Sequence, residues 1–146
     1  MHNCVIKECL QQLLKVYVFA EQQYIHASIE SKLPLLKVFY RQRAFERSDF
    51  MLQIQKEIDA LDNQECTIKS LDAFFRWHHG LYGETSLNHW PITDIAVLNI
   101  DEKALEICNC LVNDPIPNNI YILIEHQRVR LESSSLSFIY LNRLYK

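Results

Sequence analysis

The sequence predicts one all-α domain over residues 1–146, an antiparallel up-down four-helix bundle whose third helix is broken or kinked. Apolar residues recur in alternating steps of three and four along four long segments, which is the period of helices packed side by side. The chain has only two glycines and four prolines, whereas sheet folds need many more turns. The breaks between the segments are short, which favours antiparallel neighbours.

The first helix is predicted over residues 5–30 and the second over residues 33–61. Ser31 begins the break between them, and Pro34 suits the first turn of the second helix. The core-facing positions of the first helix are Ile6, Leu10, Leu13, Tyr17, Ala20, Tyr24 and Ala27. Those of the second helix include two arginines and are Leu36, Tyr40, Arg43, Arg47, Phe50, Ile54, Ile58 and Leu61.

The third helix is predicted in two parts, residues 68–82 and residues 92–112, separated by an interruption that contains Gly83 and Pro91. Thr67 can cap the first part. The core-facing positions of the second part are Ile95, Leu98, Glu102, Leu105 and either Cys108 or Asn109. The sequence therefore leaves open whether this arm is one bent helix or two helices.

The fourth helix is predicted over residues 117–144, after a turn at residues 113–118 that contains two prolines. Residues 120–124 are also rich in strand-forming side chains, but the helical period continues past them, and we prefer the helix. Its core-facing positions are Ile120, Ile124, Gln127, Leu131, Ser134, Phe138, Leu141 and Tyr145.

Composition and charge narrow the function classes. The net charge of −3 and the scattered basic residues give no basic face of the kind that binds nucleic acid. No apolar run approaches the roughly 18 residues of a membrane span, and the start lacks the pattern of a signal peptide. Five cysteines, an odd number without a disulfide framework, favour a reducing compartment. We expect a cytoplasmic protein with neither nucleic acid nor membrane as partner.

Polar residues interrupt the core-facing positions of the second, third and fourth helices, and Glu21 lies beside those of the first. These residues are predicted to meet near one level of the bundle. One interpretation is a buried network in which the arginines pair with the acids. Such pairs add little net stability, but removal of one partner leaves a costly unpaired charge. The predicted members of this network are Glu21, Arg43, Arg47, Glu102 and Gln127.

The other interpretation is an atypical carboxylate-bridged iron or manganese site. Di-metal bundles use one Glu from each of two helices and Glu-x-x-His from each of the other two. Here the second helix has an acid pair without histidine, and the fourth has an adjacent Glu and His, which point about 100° apart. Nearby arginines would also repel a dication. We therefore favour the network and expect no cofactor; the candidate metal ligands are Glu21, Glu46, Asp49, Glu102, Glu125 and His126.

Three further groups of residues suggest weaker alternatives. His78, His79 and His89 could form a surface metal or ligand site, or lie in a solvated loop. Cys108 and Cys110 are two apart on a helix and point to different faces, which makes a poor chelate. Tyr17, Tyr24 and Tyr40 could line a small-molecule pocket, although aromatic residues at core-facing positions are usually core. No phosphate loop or catalytic motif occurs, so we lean away from an enzyme.

Several short patterns occur in order along the chain: Glu21-x-x-Tyr24-x-x-Ala27, Arg43-x-x-x-Arg47-x-x-Phe50, Gln55-x-x-Ile58, Phe75-Arg76-Trp77, Asp101-Glu102-x-Ala104-Leu105 and Glu125-x-Gln127. They resemble a family of bacterial ferritin-like four-helix-bundle proteins whose function is not established. The resemblance implies a ferritin-like bundle without iron storage, because the histidine ligands expected in the second and fourth helices are missing.

These observations lead to the hypothesis that the protein is not a catalyst. It would act by associating with itself, for example as a dimer, or by binding a protein partner. Exposed aromatic residues at the break in the third arm, Trp77, Tyr82 and Trp90, are candidates for the contact patch. A role in stress adaptation is implied only by the resemblance. The alternative is a metal-binding or redox protein of the ferritin-like class.

Overall fold

The computed structural model describes residues 3–62 and 94–144, with side chains from residue 99 onward in the second stretch. These residues form four helices and no strand: α1 (Asn3–Glu30), α2 (Pro34–Leu61), α3 (Asp94–Val112) and α4 (Asn118–Leu144). The all-α prediction is confirmed for them, and each predicted boundary lies within two residues of the observed one. Residues 120–124 belong to α4, so the strand alternative is wrong.

Several predictions concern residues outside those that the structure describes. They are the Thr67 cap, the first part of the third helix, its interruption, the group formed by His78, His79 and His89, and the aromatic residues Trp77, Tyr82 and Trp90. These remain predictions.

The connection between α1 and α2 is three residues long. The backbone N–H of Ser31 still donates to the carbonyl of Ala27 at 2.9 Å, which closes the last turn of α1. Leu33 is extended, with φ −92° and ψ 119°, as expected for a residue that precedes proline. Pro34 then starts α2, where its missing N–H costs no hydrogen bond.

The four helices share one apolar core. α1 packs against α2 and α3, and α4 packs against the same two helices. All the core-facing positions predicted for α1 are buried, as are most of those for α2 and α4. No helix among the described residues is long and apolar enough to cross a membrane.

The core-facing positions of α3 differ from the prediction. From residue 99 onward its buried residues are Ile100, Asp101, Ala104, Cys108 and Leu111, whereas Glu102 is exposed and Leu105 only half-buried. The predicted positions Ile95 and Leu98 lie outside the side chains that the structure describes. The predicted face was therefore rotated by one residue. The reason lies in the composition of α3, whose apolar residues occur on more than one side of the helix and support two adjacent faces.

We predict that Leu131→Ala lowers the free energy of unfolding by about 2–5 kcal/mol, because it opens a cavity in the shared core. Leu131 is fully buried, whereas Leu136 on the same helix is 69% exposed. The matched control Leu136→Ala should change the free energy of unfolding by no more than about 0.5 kcal/mol. Urea unfolding followed by circular dichroism measures both, and equal losses would contradict the placement of this core.

Candidate functional site

The most deeply buried charge in the described part of the chain is the guanidinium of Arg47, which is 0% exposed. It comes from α2 and meets Asp101 of α3 in a two-pronged contact, Nε to Oδ1 at 3.2 Å and Nη2 to Oδ2 at 3.1 Å. Its third nitrogen, Nη1, donates to Glu46 at 2.6 Å. The hydroxyl of Tyr24 on α1 donates to the same Asp101. This contact therefore joins α1, α2 and α3.

Burial alone would lower the pKa of Arg47, but attraction to the Asp101 carboxylate outweighs it and raises that pKa. The guanidinium therefore stays charged. The pKa of Tyr24 is raised well above its usual value, by burial first and by the charge of Asp101 second. Tyr24 accordingly keeps its proton and remains a donor to the carboxylate. The aromatic rings of Tyr24 and Phe50 lie 5.5 and 5.4 Å from the guanidinium carbon, within the range of cation–π attraction.

A second set of polar contacts links α2 to α4 around Glu46. Besides Arg47, the Glu46 carboxylate accepts from the Ser134 hydroxyl at 3.3 Å and lies 3.5 Å from Nη1 of Arg130. Arg43 donates to the Ser134 oxygen at 2.9 Å. The contacts around Glu46 are charge-assisted, which strengthens a hydrogen bond.

A third set surrounds the buried amide of Gln127 on α4. Its oxygen accepts from the Tyr17 hydroxyl at 2.8 Å, and its nitrogen donates to Gln53 at 3.0 Å. The Tyr17 oxygen also lies 3.8 Å from the sulfur of Cys108. Burial raises the pKa of Tyr17 well above its usual value, so Tyr17 stays a hydrogen-bond donor. This set ties α4 to α1 and α2.

The structure places the predicted network residues in four different environments. Arg47 and Gln127 are buried, and Arg43 is half-buried beside Glu46 and Ser134. Glu21 lies at the outer side of the α1–α2 pair and accepts from Ser48. Glu102 is exposed, and the neighbouring Asp101, which the sequence did not single out, is the acid that pairs with Arg47.

The candidate metal ligands do not converge. Glu46 is paired with arginines, Glu125 accepts from Arg128 at 2.8 Å, and Glu21 accepts from Ser48. Asp49, Glu102 and His126 are exposed. Among the described residues no three His, Cys, Asp or Glu side chains lie close enough to hold a metal ion together. These residues do not fit a carboxylate-bridged centre, because none of them is fully buried and Glu46 is already paired with Arg43 and Arg47.

The cysteines differ in their exposure. Burial raises the pKa of Cys108 to about 12, although its hydrogen bond with Tyr17 opposes the shift. Cys110 is exposed, Cys9 is half-buried, and all three are free thiols. Cys4 is disulfide-bonded, contrary to the expectation of unpaired cysteines. Cys108 and Cys110 lie on different sides of α3, as their spacing predicts.

The outer side of the α1–α2 pair carries an apolar groove, which we call the α1/α2 groove. It consists of two open hollows of about 390 and 400 Å³. Several large apolar side chains in it are well exposed, including Ile29 at 69%, Phe45 at 68% and Leu52 at 71%. Its lining residues are Leu14, Val18, Glu21, Ile25, Ser28 and Ile29 from α1, with Arg41, Ala44, Phe45, Ser48, Met51, Leu52 and Gln55 from α2.

Exposed apolar residues on this side of α1 and α2 recur every seven residues. This spacing can be read in the sequence, but the stronger pattern of core-facing residues masks it. Val18 and Ile25 are seven residues apart on α1, and Val38, Phe45 and Leu52 repeat every seven residues on α2. All five are exposed. A second apolar line beside the core-facing one is typical of helices that pack on two sides.

Comparison with models of known protein families finds no match, and comparison with curated proteins finds no similar one. What the structure itself shows is a helical protein with a buried arginine–carboxylate contact and an apolar groove on its outer surface.

We predict that Asp101→Ala lowers the free energy of unfolding by about 3–5 kcal/mol, because it leaves the buried Arg47 guanidinium without its main partner. The matched control is Glu102→Ala at the adjacent residue, which should change the free energy of unfolding by no more than about 0.5 kcal/mol. Urea unfolding measures both. A larger loss in Glu102→Ala would show that Glu102, and not Asp101, neutralises the arginine.

We also predict that iodoacetamide at pH 8 modifies Cys110 in the folded protein and leaves Cys108 intact. The raised pKa of Cys108 leaves almost no thiolate at this pH, and only the thiolate is nucleophilic. Mass spectrometry of the tryptic peptide that contains both residues assigns the modified thiol. Both should react in urea, and equal reaction without urea would contradict the burial of Cys108.

Proposed function

We propose that the protein is a non-catalytic, ferritin-like antiparallel bundle that acts by self-association, with the α1/α2 groove as the contact surface. The observation that supports this most directly is the groove itself. Contiguous apolar surface of this kind on a folded protein usually marks an interaction site. The predicted contact patch of aromatic residues in the third arm lies outside the described residues and stays a separate prediction.

Contacts along the helices support the antiparallel arrangement in this proposal. Lys7, early in α1, pairs with Asp62, just after α2, at 2.7 Å. Asn119, early in α4, donates to Glu57, late in α2, at 3.1 Å. Between α1 and α3, Tyr24 meets Asp101 and Tyr17 meets Cys108, so residue numbers increase along α1 as they decrease along α3. Because α1 is antiparallel to both α2 and α3, these two helices run in the same direction, and the order along the chain in this proposal is up-down-down-up instead of the predicted up-down alternation. The break in the third helix is part of the proposal.

The size of the available face suits a stable dimer. α1 and α2 are each 28 residues long, and two such helices side by side offer a face of roughly 800 Å². A specific interface of standard size buries about 800 Å² on each partner. The lining of the groove extends only from Leu14 to Ile29 on α1 and from Arg41 to Gln55 on α2, so an interface of that size also uses the rest of this face.

The interior polar groups support a structural and not a catalytic role. Arg47, Asp101 and Gln127 are buried, and the side chain of each bonds to a residue of a neighbouring helix. A catalytic group must reach its substrate, whereas these groups are enclosed by the bundle.

We further propose a cytoplasmic location. Three of the four described cysteines are free thiols, as expected in a reducing compartment, while the disulfide of Cys4 is the observation against it. The role in stress adaptation rests on the family resemblance alone.

Light scattering after size exclusion tests the self-association. We expect the mass to approach twice the 17.3 kDa of one chain as the concentration increases. Phe45→Glu should weaken the association at least tenfold, since it places a charge in the groove, and tenfold corresponds to about 1.4 kcal/mol.

The matched control is Leu136→Glu on α4, which introduces the same charge at an equally exposed leucine and should leave the association unchanged. A wild-type protein that keeps the mass of one chain at all concentrations would overturn the proposal. Equal weakening by both variants would show that the groove is not the contact surface.

A further inference from the structure

A polar hollow lies between α2 and α4 and shares no lining residue with the α1/α2 groove. Its volume is about 220 Å³. The residues that line it are Arg43 and Glu46 from α2, with Val129, Arg130 and Ser133 from α4. All but Val129 are polar, and two are arginines, so this hollow suits a polar ligand where the groove suits an apolar one.

Positive charge exceeds negative charge around this hollow. The Glu46 carboxylate lies 3.7 Å from a nitrogen of Arg43, 2.6 Å from one of Arg47 and 3.5 Å from one of Arg130. The other carboxylate in the cluster is that of Asp101, which pairs with Arg47. Three guanidiniums therefore meet two carboxylates, which leaves one positive charge without a counterion in the described part of the cluster.

The two arginines that line the hollow are only loosely held by Glu46. Their distances to its carboxylate, 3.7 and 3.5 Å, exceed the usual length of an N–H···O hydrogen bond. Within the described residues Arg43 donates one side-chain hydrogen bond, to Ser134 at 2.9 Å, although a guanidinium carries five N–H donors. Arg43 and Arg130 therefore keep N–H groups for a further acceptor.

Arg43 also has a buried donor without an acceptor. Its Nε is buried and meets no hydrogen-bond partner among the described residues, whereas the same atom of Arg47 donates to Asp101. Buried donors in folded proteins are nearly always paired, so this one favours a ligand that supplies an acceptor. The guanidinium carbon of Arg43 lies 5.4 Å from the centre of the Phe39 ring, and cation–π attraction helps to hold the group in place.

We propose that this hollow binds a phosphate group, either as the free ion or as part of a small phosphate ester. Arginine binds phosphate through paired N–H donors, and here one guanidinium comes from each of two helices. The exposed hydroxyl of Ser133 adds a third donor. A phosphate has enough oxygens to accept from all three groups, whereas a carboxylate has only two. Its negative charge also offsets the unbalanced guanidinium.

Isothermal titration calorimetry with inorganic phosphate tests this site, with chloride added to keep the ionic strength constant. We expect a dissociation constant below about 1 mM. Arg130→Gln should weaken binding at least about tenfold, because it removes one of the two guanidiniums. Arg130 is 55% exposed, so the variant should keep its fold, which circular dichroism checks. Ser133→Ala, at an exposed hydroxyl, should weaken binding at least about twofold.

The matched control is Arg143→Gln, which removes the same charge from an exposed arginine elsewhere on α4 and should leave the affinity unchanged. A wild-type protein that binds no phosphate, or equal weakening by Arg130→Gln and Arg143→Gln, would overturn the proposal. Acetate that binds as tightly as phosphate would overturn it too, since the ligand would then be a carboxylate.

Phenyl phosphate, titrated in the same way, separates the two sources of the phosphate group. If it binds as tightly as inorganic phosphate, the site accepts the phosphate of a larger molecule that extends into solvent. If only inorganic phosphate binds, the ligand is the free ion. Self-association through the groove is a separate proposal, because the two sites have no residue in common.

Discussion

The buried contact between Arg47 and Asp101 is the constraint on which the rest of the bundle depends. A guanidinium enclosed by helices is costly unless its nitrogens meet acceptors, and the acceptors here come from its own helix and from α3. Because the contact with Asp101 is two-pronged, it restricts both the rotation of α3 and its position along the bundle. Tyr24 extends the same restriction to α1.

The other polar contacts continue this arrangement to α4. Gln127 bonds to Tyr17 and Gln53, and Ser134 bonds to Arg43 and Glu46. Apolar burial supplies the driving force for folding, but it is non-directional, whereas a hydrogen bond joins two defined atoms. We infer that these hydrogen bonds select one arrangement among several that would bury the same apolar area.

Three of the four helices could be predicted from the sequence in both extent and core-facing side, because each has one strong apolar line bounded by proline or by a polar break. α3 was harder, since Leu105 and Ile107 compete with Ala104 and Cys108 for the core. Which of the adjacent acids is buried depends on where Arg47 lies in space, and no pattern within α3 contains that information. The groove was missed because Val18 and Phe45 lie beside the core-facing line and not on it.

The buried pair also limits how this chain can diverge. A change at Arg47 alone leaves an acid without its cation, and a change at Asp101 alone leaves a cation without its acid, so each single step passes through a weakened protein. Replacement of both by apolar residues of similar volume is often tolerated. Homologous chains should consequently vary at these two positions together or keep both, so that the two residues change as one unit.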